Sequence, residues 1–291
     1  MLLAVCSTSC SQEVKKQLNI VKNDSLSRNY WYNNEAEISS YELTQARYRE
    51  LHKGHAVLVY VTESFSQEKN TKSDNPTDKD VPVLKINFTK KFNTGIYPYS
   101  MMTSTFFPVD KGDHSLKISS SSQEWCGHTY MELRNKEKFE VSLSSYFEDQ
   151  SFEIIKMDKA LLEDDLWSMI RLQNSTLPIG NKMVIPSFFY LRLMHKEFKA
   201  YKCEFSKIIS NDSISTLSLI YPELNRTISI NFEVIFPFKI ISWEETYESG
   251  WGENKKKLTT TANLITTIKS DYWNNHSNKN SDLRIKLGIK K

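Results

Sequence analysis

The chain predicts a mainly β protein, an antiparallel meander forming an open or closed barrel, with one amphipathic helix near residues 157–171. Three observations carry this. Alternation of apolar and polar residues, with a period of two, recurs from Trp31 to Ser270. Clusters of Gly, Pro, Asn and Asp punctuate it where hairpin turns are needed. Strand-forming aromatics, 15 Phe, 14 Tyr and 6 Trp, far outnumber 8 Gly, as in an ordered fold and unlike a disordered tail.

The first strand is 36–43, with Ala36, Ile38 and Ser40 on one face. Residues 45–48 either extend it or turn helical. The segment 54–62, bounded by Gly54 and rich in Val, is the clearest strand, and 81–89 resumes after a polar loop at 67–80, so the two pair antiparallel. Strands follow at 101–109 and 115–120 around a turn at 110–113, and at 139–147, where Phe139, Val141, Leu143 and Ser145 share a side.

The helix rests on Leu162, Leu166 and Met169, flanked by Leu161 and Ile170, with Asp158 as N-cap and 177–180 as stop. Within it, Glu163, Asp164 and Asp165 point about 100° apart, which excludes a shared metal and predicts a solvated face. The run 188–205 reads as a strand, though its length also allows a helix. Strands at 213–220, 226–232, 238–247 and 258–270 complete the series, and 271–276 with the basic end from Asp282 reads as a short helical tail or loop. No internal repeat or Pro/Gly hinge divides 30–291, which is expected to be one β-rich domain.

Lys and Arg number 38 against 35 Asp and Glu, for a net charge of +3, and the basic residues are dispersed apart from Lys255–Lys257 and Lys290–Lys291. Without a basic stripe interleaved with aromatics, no nucleic-acid partner is expected. No run approaches the roughly 18 apolar residues of a membrane-spanning helix.

Residues 1–10, MLLAVCSTSC, read as the remnant of a signal peptide with a lipobox. Leu3 to Val5 before Cys6 has the Leu but an unusual Val; Ser7 to Ser9 before Cys10 has the small residue but no Leu. Acylation is expected at Cys6 or Cys10, followed by a polar tether over 11–29. An acyl anchor, at about 0.8 kcal/mol per buried methylene, would hold the domain on a membrane surface without spanning it.

Candidate chemistry gathers in 91–134. If 124–128 is extended, Glu124, Cys126 and His128 project from one face and could hold Zn²⁺ or form a nucleophile with its base. Same-face neighbours lie about 7 Å apart, so one shared ion would need a bulge, which Gly127 could supply. The competing reading is structural: Trp125 packed, Cys126 a small core residue, Glu124 or His128 satisfying a buried bond. Export would also permit a Cys126–Cys203 disulfide.

His52 and His55 lack a third ligand nearby in sequence. Glu244 and Glu245 sit in an aromatic segment but point to opposite faces of a strand. No metal is assigned, and no cofactor is implied, because GxGxxG, Walker A, GxSxG and HExxH are all missing.

The segments Tyr30-Trp31-Tyr32, Glu35 to Tyr41, Phe92 to Ser100, Gln123 to His128 and Ser242 to Tyr247 resemble a family of predicted exported lipoproteins of Gram-negative bacteria, often labelled septum formation inhibitor Maf. The resemblance runs through nearly the whole chain from Trp31 and implies export. It implies no catalytic residue: the Maf nucleotide pyrophosphatases carry Ser-x-Ser-Pro-Arg-Arg, and no Pro-Arg-Arg occurs here.

The expected function is a lipid-anchored, non-enzymatic protein of the cell envelope, on the outer membrane facing the periplasm. It would bind an apolar or amphiphilic ligand, or a partner protein, in a concave sheet through Tyr97, Tyr99, Trp125, Trp243 and Glu244. The alternatives are an envelope hydrolase or metal-dependent enzyme on Cys126 and His128 and, more remotely, a Maf-like pyrophosphatase.

Overall fold

The computed structural model describes residues 25–110, 112–148 and 151–289. Cys6 and Cys10 and the whole segment 1–10 lie outside the described residues. A short helix, α1 (Ser25–Trp31), begins inside the segment expected to be a tether, and its last residue, Trp31, is buried in the core.

The strands follow in chain order. The N-terminal half contributes β1 (Ala36–Arg47), β2 (Glu50–Ser66), β3 (Thr71–Lys72), β4 (Val81–Thr94), β5 (Tyr97–Pro108), β6 (Lys117–Glu124), β7 (Gly127–Asn135), β8 (Phe139–Ser145) and β9 (Phe152–Met157). The C-terminal half contributes β10 (Leu161–Leu162), β11 (Gly180–Ile185), β12 (Tyr201–Ile209), β13 (Ile214–Tyr221), β14 (Arg226–Glu233), β15 (Ile240–Ser249) and β16 (Lys256–Ser270).

All belong to one sheet, ordered β10-β11-β12-β13-β14-β15-β16-β1-β2-β4-β5-β6-β7-β8-β9, with β3 attached to β2. Neighbours pair antiparallel except β10 with β11. The first and last long strands, β1 and β16, pair with each other, while β9 and β10 are left as edges, so the barrel is open.

Alternation sets the two faces. Ala36, Ile38 and Ser40 do share a face of β1, and it is the outer one: Ala36 and Ile38 pack with Val61 under Leu287 and Ile289, and Ser40 donates its hydroxyl to the Leu287 carbonyl. A C-terminal helix, α4 (Asp282–Lys286), delivers those two residues.

Two further helices, α2 (Leu166–Gln173) and α3 (Phe188–Met194), sit in the concavity. The Trp167 ring meets Phe88 of β4 at 5.0 Å and Trp243 of β15 at 5.2 Å, and Phe189 meets Phe88 at 5.3 Å.

Both helices correct the sequence expectation. The helix expected near 157–171 is shorter and later, because Met157 still belongs to β9, 161–162 forms β10 and 163–165 is a single 3₁₀ turn. It covers part of the inner face of the sheet but keeps no solvated side there: every residue from Leu166 to Leu172 is buried. The strand expected over 188–205 divides into α3 and β12: apolar residues around most of FFYLRLM suit a helix largely enclosed by the barrel, and His195 in the left-handed region ends it.

Nor are Glu163, Asp164 and Asp165 solvated. Glu163 accepts two bonds from Arg226 (2.6 and 2.7 Å) and one from the Tyr221 hydroxyl; Asp164 accepts from the Phe188 amide and Asp165 from Ser115. These carboxyls are buried because their partners lie in distant segments that the fold brings to them.

Candidate functional site

Antiparallel pairing of consecutive strands puts every second turn at the same end of the sheet. The β1–β2, β4–β5, β6–β7, β8–β9 and β15–β16 connections therefore share one end, and their tips carry the large apolar residues Ile96, Trp125, Tyr146 and Trp251, all more than half exposed. Local geometry makes the tips tight. Arg47 pairs with Glu50 across the two-residue turn Tyr48-Arg49, Thr94 with Tyr97 across Gly95-Ile96, and Glu124 with Gly127 across Trp125-Cys126.

Tyr48 and Arg49 both take positive φ (51° and 67°), the region that turns of this kind normally fill with Asn or Gly. His195, at the end of α3 beside this turn, has φ 47°. Bulky residues held there cost on the order of 1 kcal/mol each and concentrate at functional sites.

Behind the tips the inner faces present a continuous aromatic and cationic lining. The Tyr48 hydroxyl bonds that of Tyr99 at 2.7 Å; the Tyr99 ring stacks on Phe92 at 4.8 Å and lies 5.9 Å from Tyr97, which in turn stacks on Trp125 at 6.2 Å. Tyr48 also meets Trp251 at 5.4 Å, and Trp251 faces His195 at 6.4 Å. Burial lifts the phenols of Tyr48 and Tyr99 above their ordinary range, so both remain neutral hydroxyls.

Arg47 lies at the centre. Its guanidinium carbon is 4.3 Å from the Tyr48 ring, 5.3 Å from Trp251 and 5.6 Å from Tyr99. Arg192 of α3 reaches the same region, donating to the Thr129 hydroxyl at 3.1 Å and lying 4.8 Å over Phe147.

Of the five residues expected to bind ligand, the structure brings Tyr97, Tyr99 and Trp125 together. Trp243 and Glu244 lie elsewhere: Trp243 is buried in the barrel interior against Tyr41, Phe88 and Trp167, and Glu244 is exposed on the opposite face. The inward carboxylate of that segment is Glu245, which binds Arg226 at 2.7 Å.

The segment 124–128 is not extended, since a hairpin turn separates Glu124 from His128. Trp125 and Cys126 are exposed at the tip instead of packed, and Glu124 accepts the Cys126 amide at 2.6 Å. A hydrogen bond to Glu124 and the charge of its carboxylate push the Cys126 thiol up, the opposite of an activated nucleophile. Both described thiols are free. Cys126 is exposed and Cys203 buried, with burial raising the latter to about 12. No cluster of three potential metal ligands occurs among the described residues.

Arg47, Tyr48, Arg192 and Trp251 were not singled out from sequence. Counting hairpins would have found two of them: once consecutive strands are taken as antiparallel, Tyr48 and Trp251 fall on the same end as Ile96 and Trp125. Arg192 depended on recognising α3 as a helix.

No protein-family model matches the chain, and no curated protein matches it. Among solved structures, a β-barrel-like protein of the domain of unknown function DUF1849 from Brucella abortus aligns with TM-score 0.46 and 9% identity, over 81% of this chain and 98% of that one. A porin-like protein from Bacteroides uniformis aligns with TM-score 0.23 and 8% identity, over 79% and 95%. Similarity at this level carries no inference about this chain.

Proposed function

We propose that this protein is a non-enzymatic binding module of the cell envelope, held to the membrane through an acyl group on Cys6 or Cys10, which takes an amphiphilic ligand at the aromatic end of its open barrel. One observation carries the reading: exposed Trp125 and Trp251 stand at turn tips over a lining of Tyr48, Tyr97 and Tyr99, so an apolar chain has aromatic walls to lie against and hydroxyls to meet its polar end. The raised Cys126 thiol argues against the hydrolase alternative.

Calorimetric titration with n-decanol tests the reading. Binding is expected for the parent, and the double variant Trp125→Ala/Trp251→Ala should bind at least about tenfold more weakly, as when aromatic anchors are removed from an interface. Unaltered binding in the double variant, or none in the parent, would rule the site out. Palmitate incorporation by the full-length gene product, lost on replacing the acylated cysteine, tests the anchor separately.

A further inference from the structure

Three arginines are almost wholly buried in this barrel, and two of them follow the usual rule that a buried charge is paired. Arg171 is bidentate on Glu37 (2.7 and 2.6 Å), and Arg226 is bidentate on Glu163 with Glu245 beside it. Arg47 breaks the rule. Only 7% of it is exposed, yet no carboxylate among the described residues pairs with it. It donates to the Leu193 carbonyl and, at a long 3.4 Å, to the hydroxyls of Tyr48 and Tyr99, and its Nε has no partner. A guanidinium has five donors in a rigid fork matched to carboxylate or phosphate oxygens. Leaving donors and charge unmatched in a low-dielectric setting is costly.

The second observation is Arg192. Arg47 donates to the carbonyl of Leu193, the residue next to Arg192 in α3, and burial together with the Arg47 charge depresses the Arg192 pKa. The Arg192 side chain donates to the Thr129 hydroxyl and reaches the His195 ring, not an acid, although it feels the Glu124 carboxylate. Glu124 is turned to the Cys126 amide. Two cations are thus brought near one another among the aromatic rings behind the tips, beside a turn whose two central residues are both at positive φ.

We infer that the Arg47–Arg192 pair is an anion-binding centre, and that the ligand of the aromatic end is an amphiphile whose polar group is a carboxylate or phosphate. The inference rests on the binding function proposed above and narrows it to a chemical class. The anion completes the Arg47 fork and relieves repulsion between the two guanidiniums, while its apolar chain runs out past Tyr97, Trp125 and Trp251.

Decyl phosphate and n-decanol, each below its aggregation threshold, are titrated into the full chain. Decyl phosphate is expected to bind at least about tenfold more tightly, the order of a single well-made charged contact. Arg47→Met and Arg192→Met should each abolish that preference, bringing decyl phosphate to the affinity of n-decanol; Arg192→Met, at a less buried position, keeps the test valid if Arg47→Met fails to fold. Flotation with phosphatidylcholine vesicles, with and without phosphatidic acid, separates the sources: capture only by the acidic vesicles identifies a membrane headgroup, and capture by neither assigns the site to free amphiphiles. Equal affinity for the two decyl compounds, or a preference surviving in Arg192→Met, overturns the anion centre while the apolar site stands. Failure of both compounds to bind overturns both.

Discussion

Glu37 and Arg171 form a bidentate ion pair with neither side chain exposed to solvent, enclosed by Tyr30, Trp31 and Tyr60. Burial alone would raise the Glu37 carboxyl, but the Arg171 guanidinium outweighs it and holds the group below its ordinary range. Removing one charge strands the other, so Glu37→Gln should lower unfolding stability by about 3–5 kcal/mol in urea titration, whereas Glu37→Leu/Arg171→Met should recover most of the loss. Equal losses in the two variants would contradict this account. Asp165 behaves oppositely. Burial raises its carboxyl from 3.8 to about 7, despite bonds from Ser115. The folded state therefore holds a proton that the unfolded chain releases near its ordinary value, and the associated stability is fully present below about pH 4 and lost as pH rises towards 7. Relative to the parent, Asp165→Asn should gain stability across that window by up to about 1.4 kcal/mol per pH unit. A pH-independent difference in urea midpoints would remove Asp165 as the titrating group.

At the scale of elements, α2 ties the two halves of the sheet together through one ring: Trp167 contacts Phe88 on β4 and Trp243 on β15. Trp167→Ala should cost about 3–5 kcal/mol, the range for deleting a large core aromatic. A loss under about 1 kcal/mol would show that the interior closes over the gap. The strands were legible because each was written locally, in alternating residues and turn formers, as 54–62 and 81–89 show in the paired β2 and β4. The helices were legible only in part: Leu166, Met169 and Ile170 do lie in α2 and the tail from Asp282 forms α4, but the start of α2, its surroundings and the whole of α3 were not. Glu163, Asp164 and Asp165 look like a wet face until Arg226, Phe188 and Ser115 arrive from elsewhere in the chain, and FFYLRLM carries a single polar residue, Arg192, too few to betray its period. The candidate site divides along the same line: Tyr97, Tyr99 and Trp125 stood in one aromatic stretch, whereas the meeting of Arg47 with Arg192 depends on where α3 ends.

For the molecule as a whole, the decisive pairing is β1 with β16, because every other antiparallel neighbour along the sheet is also close in sequence. It sets Ala36 opposite Ser270, and the following segment folds back to lay Leu287 and Ile289 against Ala36 and Ile38. The described ends of the chain are therefore neighbours in space, while the β12–β13 turn at 210–213 is exposed at Asn211 and Asp212. If closure of this pair, and not the order of synthesis, specifies the fold, a circular permutant joining Ile289 to Ser25 by a flexible Gly/Ser linker and opening at 211–212 should keep the parent circular-dichroism spectrum and a single urea transition. Deleting 256–291 removes β16 and leaves β1 and β15 each with a bare edge beside a core that needs both, so that chain should lose its near-ultraviolet spectrum and cooperative unfolding together. A truncated chain that still unfolds in one sharp transition would mean that the two halves of the sheet hold their cores independently, and that β16 joins them without specifying either.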